Sequence, residues 1–393
     1  MMLIYILTIL LITKIGICVE NNVCTTVEGY SMKENNNLCK YNPDVFSNTW
    51  DMVQRHGYPI EKHNTVTKDG YILTIYRIPH GKERSFGGQP VYLLHGTLSS
   101  SEMWVNIGNK SLAFKLADRG YDVWIGDARG NFNSLGHIKH DIDSNEYWNY
   151  TLDDLAYYDM PAVLNYISNE TGKGGEIIHL GHSQGSLVAL MYASRLPSHA
   201  KSHLKGLVLI GPVTYIRPVS NLITKMYSVL TSLIPYVGDR SNAITRFCTM
   251  NSYFFNICIK ILDLSCGSTK DTYVLEDMPI FFSYCLYQES TKPINHIAQL
   301  GNSQRCQMYD YGPKGNLEVY QSDYPPEYNI SRINIPTYLF VGENDTIASP
   351  KHGEFIYRNL TIQEKGLFVL KGFNHVSLFY SKYLETEFHR KLK

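Results

Sequence analysis

The chain carries no net charge: 36 basic residues are balanced by 36 acidic ones. Nothing in that balance draws it to a polyanion, so nucleic acid is not an expected partner. It also lacks a long hydrophobic run. Met1 to Thr13 is nearly all apolar, but that is well short of the roughly 20 residues needed to cross a bilayer. No internal repeat or low-complexity tract is apparent, which argues against a solenoid and against a disordered linker. Tryptophan is scarce, 4 residues beside 30 tyrosines, a skew that implies no chemistry by itself. With 44% hydrophobic and 18% charged residues over 393 positions, the chain has ample material for a large core.

The apolar start suits the h-region of a signal peptide, with Gly16 and Cys18 as small residues near a cleavage point. Residues 1–19 are therefore expected to be a signal and 20–44 an N-terminal extension, on a secretory route to the cell exterior or a lysosome. Once Cys18 leaves, Cys24, Cys39, Cys248, Cys258, Cys266, Cys285 and Cys306 remain. An odd number leaves at least one thiol free or paired between chains. Cys24 with Cys39 and Cys258 with Cys266 are the expected local pairs, although spacing alone does not fix connectivity. Asn-x-Ser/Thr triplets begin at Asn109, Asn149, Asn169, Asn329 and Asn359, the candidate glycan sites. Asn344 heads another, expected to be bare because its neighbour Asp345 is a candidate site residue.

Short β-branched runs alternate with amphipathic stretches. Strands are expected at Tyr71–Ile78, Val91–Leu94, Asp122–Gly126, Glu176–Leu180 and Gly206–Gly211. Helices are expected at Ser111–Arg119, Leu152–Ser168 with a kink or restart at Pro161, and Ser186–Leu196. That rhythm predicts an α/β fold, a mostly parallel sheet with helices on both faces. It breaks after Pro212. Residues 213–310 are apolar, aromatic and cysteine-rich, with helical periodicity at Leu222–Leu233 and Tyr253–Leu264, and are read as a mainly helical cap or lid inserted into the core. The core then spans 45–212 and 311–393. Its second part is expected to hold strands Pro336–Val341 and Leu367–Leu370, a helix Pro350–Leu360 and a last helix Ser377–Arg390.

Gly181-His-Ser-Gln-Gly185 has the G-x-S-x-G form. It sits where a strand meets a helix, the context in which a sharp turn lifts a serine hydroxyl above a sheet between residues small enough for crowded backbone. Ser183 is thus the candidate nucleophile. A serine needs a base and the base needs an orienting acid, which follow it in chain order as acid and then histidine. Asp345 and His375, each just past an expected strand, are the candidates. Glu343 remains open as the acid, while Asp323 precedes its strand. His352 and His389 fall on expected helices and read as surface residues, and His182 is expected to point away along the turn. Two backbone donors are needed for an oxyanion. The N–H of Gln184 is one candidate; that of Thr97, after Val91–Leu94 and His95-Gly96, is the other.

These residues, together with Gly57-Tyr-Pro59, Val66–Leu73, Leu93-Leu-His-Gly-Thr97, Gly120–Gly126, Arg129-Gly-Asn131, Tyr309–Gly312 and Pro325-Pro326, resemble the acid lipases related to gastric and lysosomal lipase, most closely the insect members. The likeness runs from about residue 45 to the C-terminus. It implies an α/β-hydrolase fold with a lid-bearing cap and a Ser183–His375–Asp345 triad. It implies no cofactor and no metal, a cap disulfide on Cys258 and Cys266, and a neutral-lipid ester as substrate at a lipid–water interface. Thr97 stands where the family usually has leucine, and His375-Val-Ser377 lacks the acidic residue that often follows the histidine. A carboxylesterase for soluble short-chain esters and a silent lipid- or protein-binding relative are the competing readings.

Overall fold

The computed structural model describes residues 20–83, 87–214, 235–238, 241–269 and 272–392. The expected signal (1–19) and the helix expected over Leu222–Leu233 lie outside the described residues. Near the start of the chain β1 (Val23–Cys24) pairs antiparallel with β2 (Cys39–Lys40), and the Cys24–Cys39 disulfide closes this ribbon. The large sheet contains β3 (Glu61–Val66), β4 (Tyr71–Ile78), β5 (Pro90–Leu94), β6 (Asp122–Gly126), the short β7 (Gly136–His137), β8 (Ile177–His182) and β9 (Leu204–Ile210). β10 (Tyr236–Val237) and β11 (Glu289–Ser290) form a separate antiparallel pair, and β12 (Thr337–Gly342) and β13 (Lys365–Leu370) complete the large sheet.

The large sheet has nine strands among the described residues, in the order β13-β12-β9-β8-β5-β6-β4-β3, with β7 beside β4. From β6 to β13 every pairing is parallel; β4 and β3 run antiparallel at one edge. Residue type explains the arrangement. β5 and β6 are buried at every position, as strands covered on both faces must be. β3 (Glu-Lys-His-Asn-Thr-Val) has no apolar alternation and is exposed at every other residue, so it tolerates only an edge. Its polar composition is why it carried no strand signal. The helix Gln184–Arg195 lies across the sheet with Gln184 to Ser194 all buried.

Several expected elements form close to their expected bounds, including β4, β6, the helix Ser252–Cys266 within the insertion and the helix Pro350–Asn359. Pro161 lies in the first turn of a helix, Met160–Thr171, after a π-helical turn at Leu155–Asp159, so the restart reading holds. The last helix does not run unbroken from Ser377 to Arg390. It stops at Tyr380, and a second helical segment spans Leu384–His389. Ser381 is extended because its backbone bridges to Tyr273, while Val274 and Lys382 N–H groups bond to Tyr380 and Thr272 carbonyls. Tertiary pairing there outweighs helical periodicity.

The second expected disulfide is corrected. Cys258 is bonded to Cys248, and Cys266 is a buried thiol. Cys258 and Cys266 are on one helix, eight residues apart, so they stand about 12 Å apart along its axis, beyond the ~7 Å reach of a disulfide. Cys248 ends the preceding helix, and the turn between the two helices brings its Cα to 5.8 Å from that of Cys258. Proteolysis under non-reducing conditions should release a 248–258 cross-linked peptide pair and a Cys266 peptide that alkylates once the chain is unfolded. Recovery of a 258–266 loop would contradict this connectivity.

Asn109, Asn149, Asn169, Asn329 and Asn359 are all exposed. The Asn344 amide instead donates to the Ser268 carbonyl at 2.9 Å, so it is engaged within the fold.

Candidate active site

The strand-to-helix turn between β8 and the helix Gln184–Arg195 holds Ser183 at φ 51°, ψ −113°. A non-glycine residue pays strain for this conformation, which persists only when its surroundings enforce it. Here the Ser183 N–H bonds to the Ile210 carbonyl at 2.9 Å, and the Ser186 hydroxyl links the Gly181 and Ile210 carbonyls. The motif glycines follow from crowding. A Cβ on Gly185 would stand 2.4 Å from the Leu94 oxygen, and one on Gly181 2.5 Å from the Gly185 carbonyl carbon.

Asp345 lies just beyond β12 and His375 just beyond β13. His375 Nδ1 is 2.7 Å from Asp345 Oδ2, and Asp345 Oδ1 accepts the N–H groups of Ile347 and Ala348 at 2.8 and 2.7 Å. Both side chains are buried. With a carboxylate acceptor on Nδ1, that nitrogen carries the proton and Nε2 is left as the basic lone pair. The His375 ring centre is 4.8 Å from that of His182, which precedes Ser183. A Cβ on Gly211, just after the Ile210 that anchors Ser183, would be 3.1 Å from His375 Cε1. Ser183, His375 and Asp345 thus gather at the same end of the parallel strands. Glu343 does not join them: it is exposed and accepts the Gly372 N–H at 2.9 Å. Asp323 is also exposed.

The loop after β5 carries Gly96-Thr97-Leu98. His95 fixes its start, with Nδ1 bonded to the Gly96 carbonyl and Nε2 accepting the Ala128 N–H. The Thr97 hydroxyl donates to Gln184 Oε1 at 2.8 Å, so the departure from leucine at 97 is used as a tether between the two candidate donor residues. Gln184 opens its helix, so its N–H has no intrahelical partner. The insertion reaches the same place. Glu289, on β11, accepts the Leu98 N–H at 2.7 Å and the Gln184 side-chain amide at 2.7 Å. No sequence signal pointed to Glu289, because nothing in its local pattern distinguishes it from any other cap carboxylate. The Cys266 carbonyl, at the end of the cap helix, meets the Thr346 and His375 N–H groups.

Three histidines are placed differently from the expectation. His352 and His389 are buried, not at the surface. His182 does not point away; its ring lies between those of His375 and Phe379. Arg129 of the Arg-Gly-Asn segment is fully buried, bonded to Asp159 and Asp69 and stacked 4.0 Å from the Tyr71 ring, a structural clamp.

The buried ionisable groups form two opposing sets. Burial lowers His95 and His352 to about 4, His179 to about 3, and His182 well below the ordinary imidazole value. Burial raises Glu102, which Asp127's charge raises further, and also raises Asp127; it pushes Glu289 up to about 7. The histidine contribution is complete above about pH 6.5 and is lost as pH falls toward 4; the carboxyl contribution is complete below about pH 4 and is lost as pH rises toward 7. The slopes oppose each other over one interval. Thermal denaturation should therefore show a plateau, with Tm moving by no more than about 3 °C between pH 4.5 and 6.5. A steady slope of several degrees per pH unit would contradict this.

A parallel sheet with a strained serine elbow after β8, and an aspartate and a histidine beyond β12 and β13, defines an α/β-hydrolase. Residues 49–108 match the partial α/β-hydrolase lipase region and residues 89–233 the α/β hydrolase fold. The chain is 34% identical to human lipase member K over 382 residues, covering 93% of each chain. It is 34% identical to human gastric triacylglycerol lipase over 324 residues, 79% of this chain and 81% of that one. Solved structures share the fold. They include a soluble variant of monoglyceride lipase from Saccharomyces cerevisiae (TM-score 0.50, 19% identity, 82% of this chain and 89% of that one). A protein of Sulfolobus solfataricus is another (TM-score 0.55, 19% identity, 82% and 88%). The chain belongs to the lipase family that contains gastric triacylglycerol lipase and lipase member K. Its relatives support a lipase, a hydrolase acting on esters.

Proposed function

We propose that this protein hydrolyses neutral-lipid esters, triacylglycerol or cholesteryl ester, through an acyl-enzyme on Ser183. His375 takes the Ser183 proton as Oγ attacks the ester carbonyl. Asp345 holds the imidazole tautomer and stabilises the imidazolium. The N–H groups of Thr97 and Gln184 receive the charge that develops on the carbonyl oxygen. His375 then protonates the departing alcohol, water repeats the attack, and fatty acid leaves. The observation that carries this reading is the 2.7 Å Asp345–His375 bond beside a serine held at positive φ.

Action at a lipid surface is supported by the helix Ser252–Cys266, where Tyr253, Ile261 and Leu264 are 68%, 57% and 76% exposed. Exposed apolar side chains along one helix mark an interaction face. No helix among the described residues is long and apolar enough to cross a membrane. The two disulfides fit the secretory pathway. Rates on emulsified long-chain triacylglycerol, cholesteryl ester, tributyrin and p-nitrophenyl acetate test the substrate class. The long-chain emulsions should be turned over faster per unit of substrate than p-nitrophenyl acetate. Turnover confined to p-nitrophenyl acetate and tributyrin would replace the lipase reading with a carboxylesterase.

A further inference from the structure

Glu289 is a buried carboxyl in the cap that the acyl-transfer steps above do not use. Its two oxygens are both engaged at the candidate oxyanion site. Oε2 accepts the Leu98 N–H and Oε1 accepts the Gln184 side-chain amide, each at 2.7 Å. Gln184 in turn accepts the Thr97 hydroxyl at 2.8 Å. One carboxyl therefore ties together the loop and the helix start that carry the two oxyanion donors. It does so where Leu98 has φ 55°, a conformation that needs support in a non-glycine residue. The carboxyl is itself anchored. Val237 pairs with Glu289 across β10–β11, and the adjacent Ser290 hydroxyl donates to the Trp148 carbonyl.

We propose that Glu289 is a positioning residue of the oxyanion site, supporting acyl transfer when neutral and opposing it when ionised. The proposal rests on the reading of Thr97 and Gln184 as oxyanion donors. The hydrogen-bond chain closes in either protonation state. Ionised, the carboxylate accepts from Leu98 and Gln184. Neutral, its carbonyl oxygen keeps Leu98 and its O–H donates to a Gln184 amide turned end for end, whose NH₂ then donates to the Thr97 hydroxyl oxygen. The geometry survives; the charge does not. A carboxylate bonded to the Gln184 side chain and to the N–H of Leu98, the residue after Thr97, disfavours a second negative charge on the substrate oxygen, and does so strongly in a buried site.

Among the described residues the surroundings supply no compensating cation. The helix start offers the Gln184 amide and the loop offers the Leu98 N–H, both uncharged. The 147–151 segment offers the Tyr150 phenol, which burial holds protonated and Glu289's charge holds further. On Glu289's own segment Lys292 is turned to Asn149, and the buried Arg129 is committed to Asp69 and Asp159. Burial is the leading influence on Glu289 and pushes it up to about 7, so the charge change falls within the working range of an esterase. The activity should decline above neutral pH for this reason.

The test is kcat and KM against pH on a soluble p-nitrophenyl ester for the full chain, Glu289→Gln and Glu289→Ala, with the rate of fluorophosphonate labelling as a second readout. Glutamine reproduces the neutral carboxyl. Glu289→Gln should stay within about threefold of the parent kcat at pH 5 and exceed it about tenfold at pH 8, with the alkaline decline gone. Glu289→Ala, which leaves the Leu98 N–H and Gln184 amide without their acceptor, should lose about 30-fold in kcat at pH 5 with little change in KM. An alkaline limb unchanged in Glu289→Gln, with Ser183 still labelled, overturns the role of Glu289 alone. Failure of the parent chain to react with fluorophosphonate at any pH overturns the hydrolase reading and this proposal with it.

Discussion

Ser183→Ala should lower turnover of a soluble ester by about 10⁴-fold or more, with KM little changed and Tm within about 2 °C of the parent. The loss is large because the proposed mechanism forms its acyl bond on this hydroxyl, and the neighbouring Ser186 hydroxyl is committed to the Gly181 and Ile210 carbonyls. The fold should hardly notice. The bonds that keep the turn in place come from the Ser183 backbone N–H and from Ser186, not from the Ser183 hydroxyl. Alanine also relieves none of the crowding that makes Gly181 and Gly185 obligatory. A variant keeping more than about 1% of parent turnover would show that the chemistry occurs elsewhere.

The second large effect belongs to Asp345. Its Oδ2 bonds His375 Nδ1 while Oδ1 is held by the Ile347 and Ala348 N–H groups. An amide at this position still has one acceptor oxygen, which those two N–H groups claim. Its NH₂ then faces Nδ1 and selects the tautomer with the proton on Nε2, the nitrogen that acts as base in the proposed mechanism. Asp345→Asn is therefore expected to cut kcat by about 10³- to 10⁴-fold. Glu343→Gln supplies the contrast. Glu343 is exposed and serves only the Gly372 N–H, so its loss should change kcat by less than about threefold. Comparing the two on one substrate by steady-state kinetics checks the assignment; equal losses would reopen the choice of acid.

The parts of the molecule that could be read from the sequence are those where local pattern and tertiary context agree. β5 and β6 are continuous apolar runs because both faces of the sheet are covered, and they were legible as such. The serine elbow was legible because close backbone approach demands glycine on both sides. The pairing of Asp345 with His375 was legible from chain order and from their places just past strands. Elsewhere tertiary contacts decided the outcome without a local signal. β3 reads as a polar segment and becomes a strand only because β4 offers it an edge. The Ser377–Arg390 periodicity is interrupted because Ser381 pairs with Tyr273, a residue 108 positions earlier. The cap disulfide departs from the local pairing because Cys258 and Cys266 are near in sequence yet rigidly separated by one helix, whereas Cys248 is brought back by a turn. His352 reads as a surface residue because a histidine in a polar helix looks solvated; its burial beside the Asp345 turn depends on how that helix docks. Glu289 is the furthest from legibility, since its significance lies wholly in two contacts with residues more than 100 positions away.

The central claim is that Ser183, activated through His375, is the acylated residue. Fluorophosphonate labelling of the intact chain followed by peptide mapping tests it most directly. A single adduct is expected on the peptide containing Gly181-His-Ser-Gln-Gly185, formed rapidly in the parent and at least about 10³-fold more slowly in His375→Ala. An adduct on another residue, or equal labelling rates in the parent and His375→Ala, would contradict it.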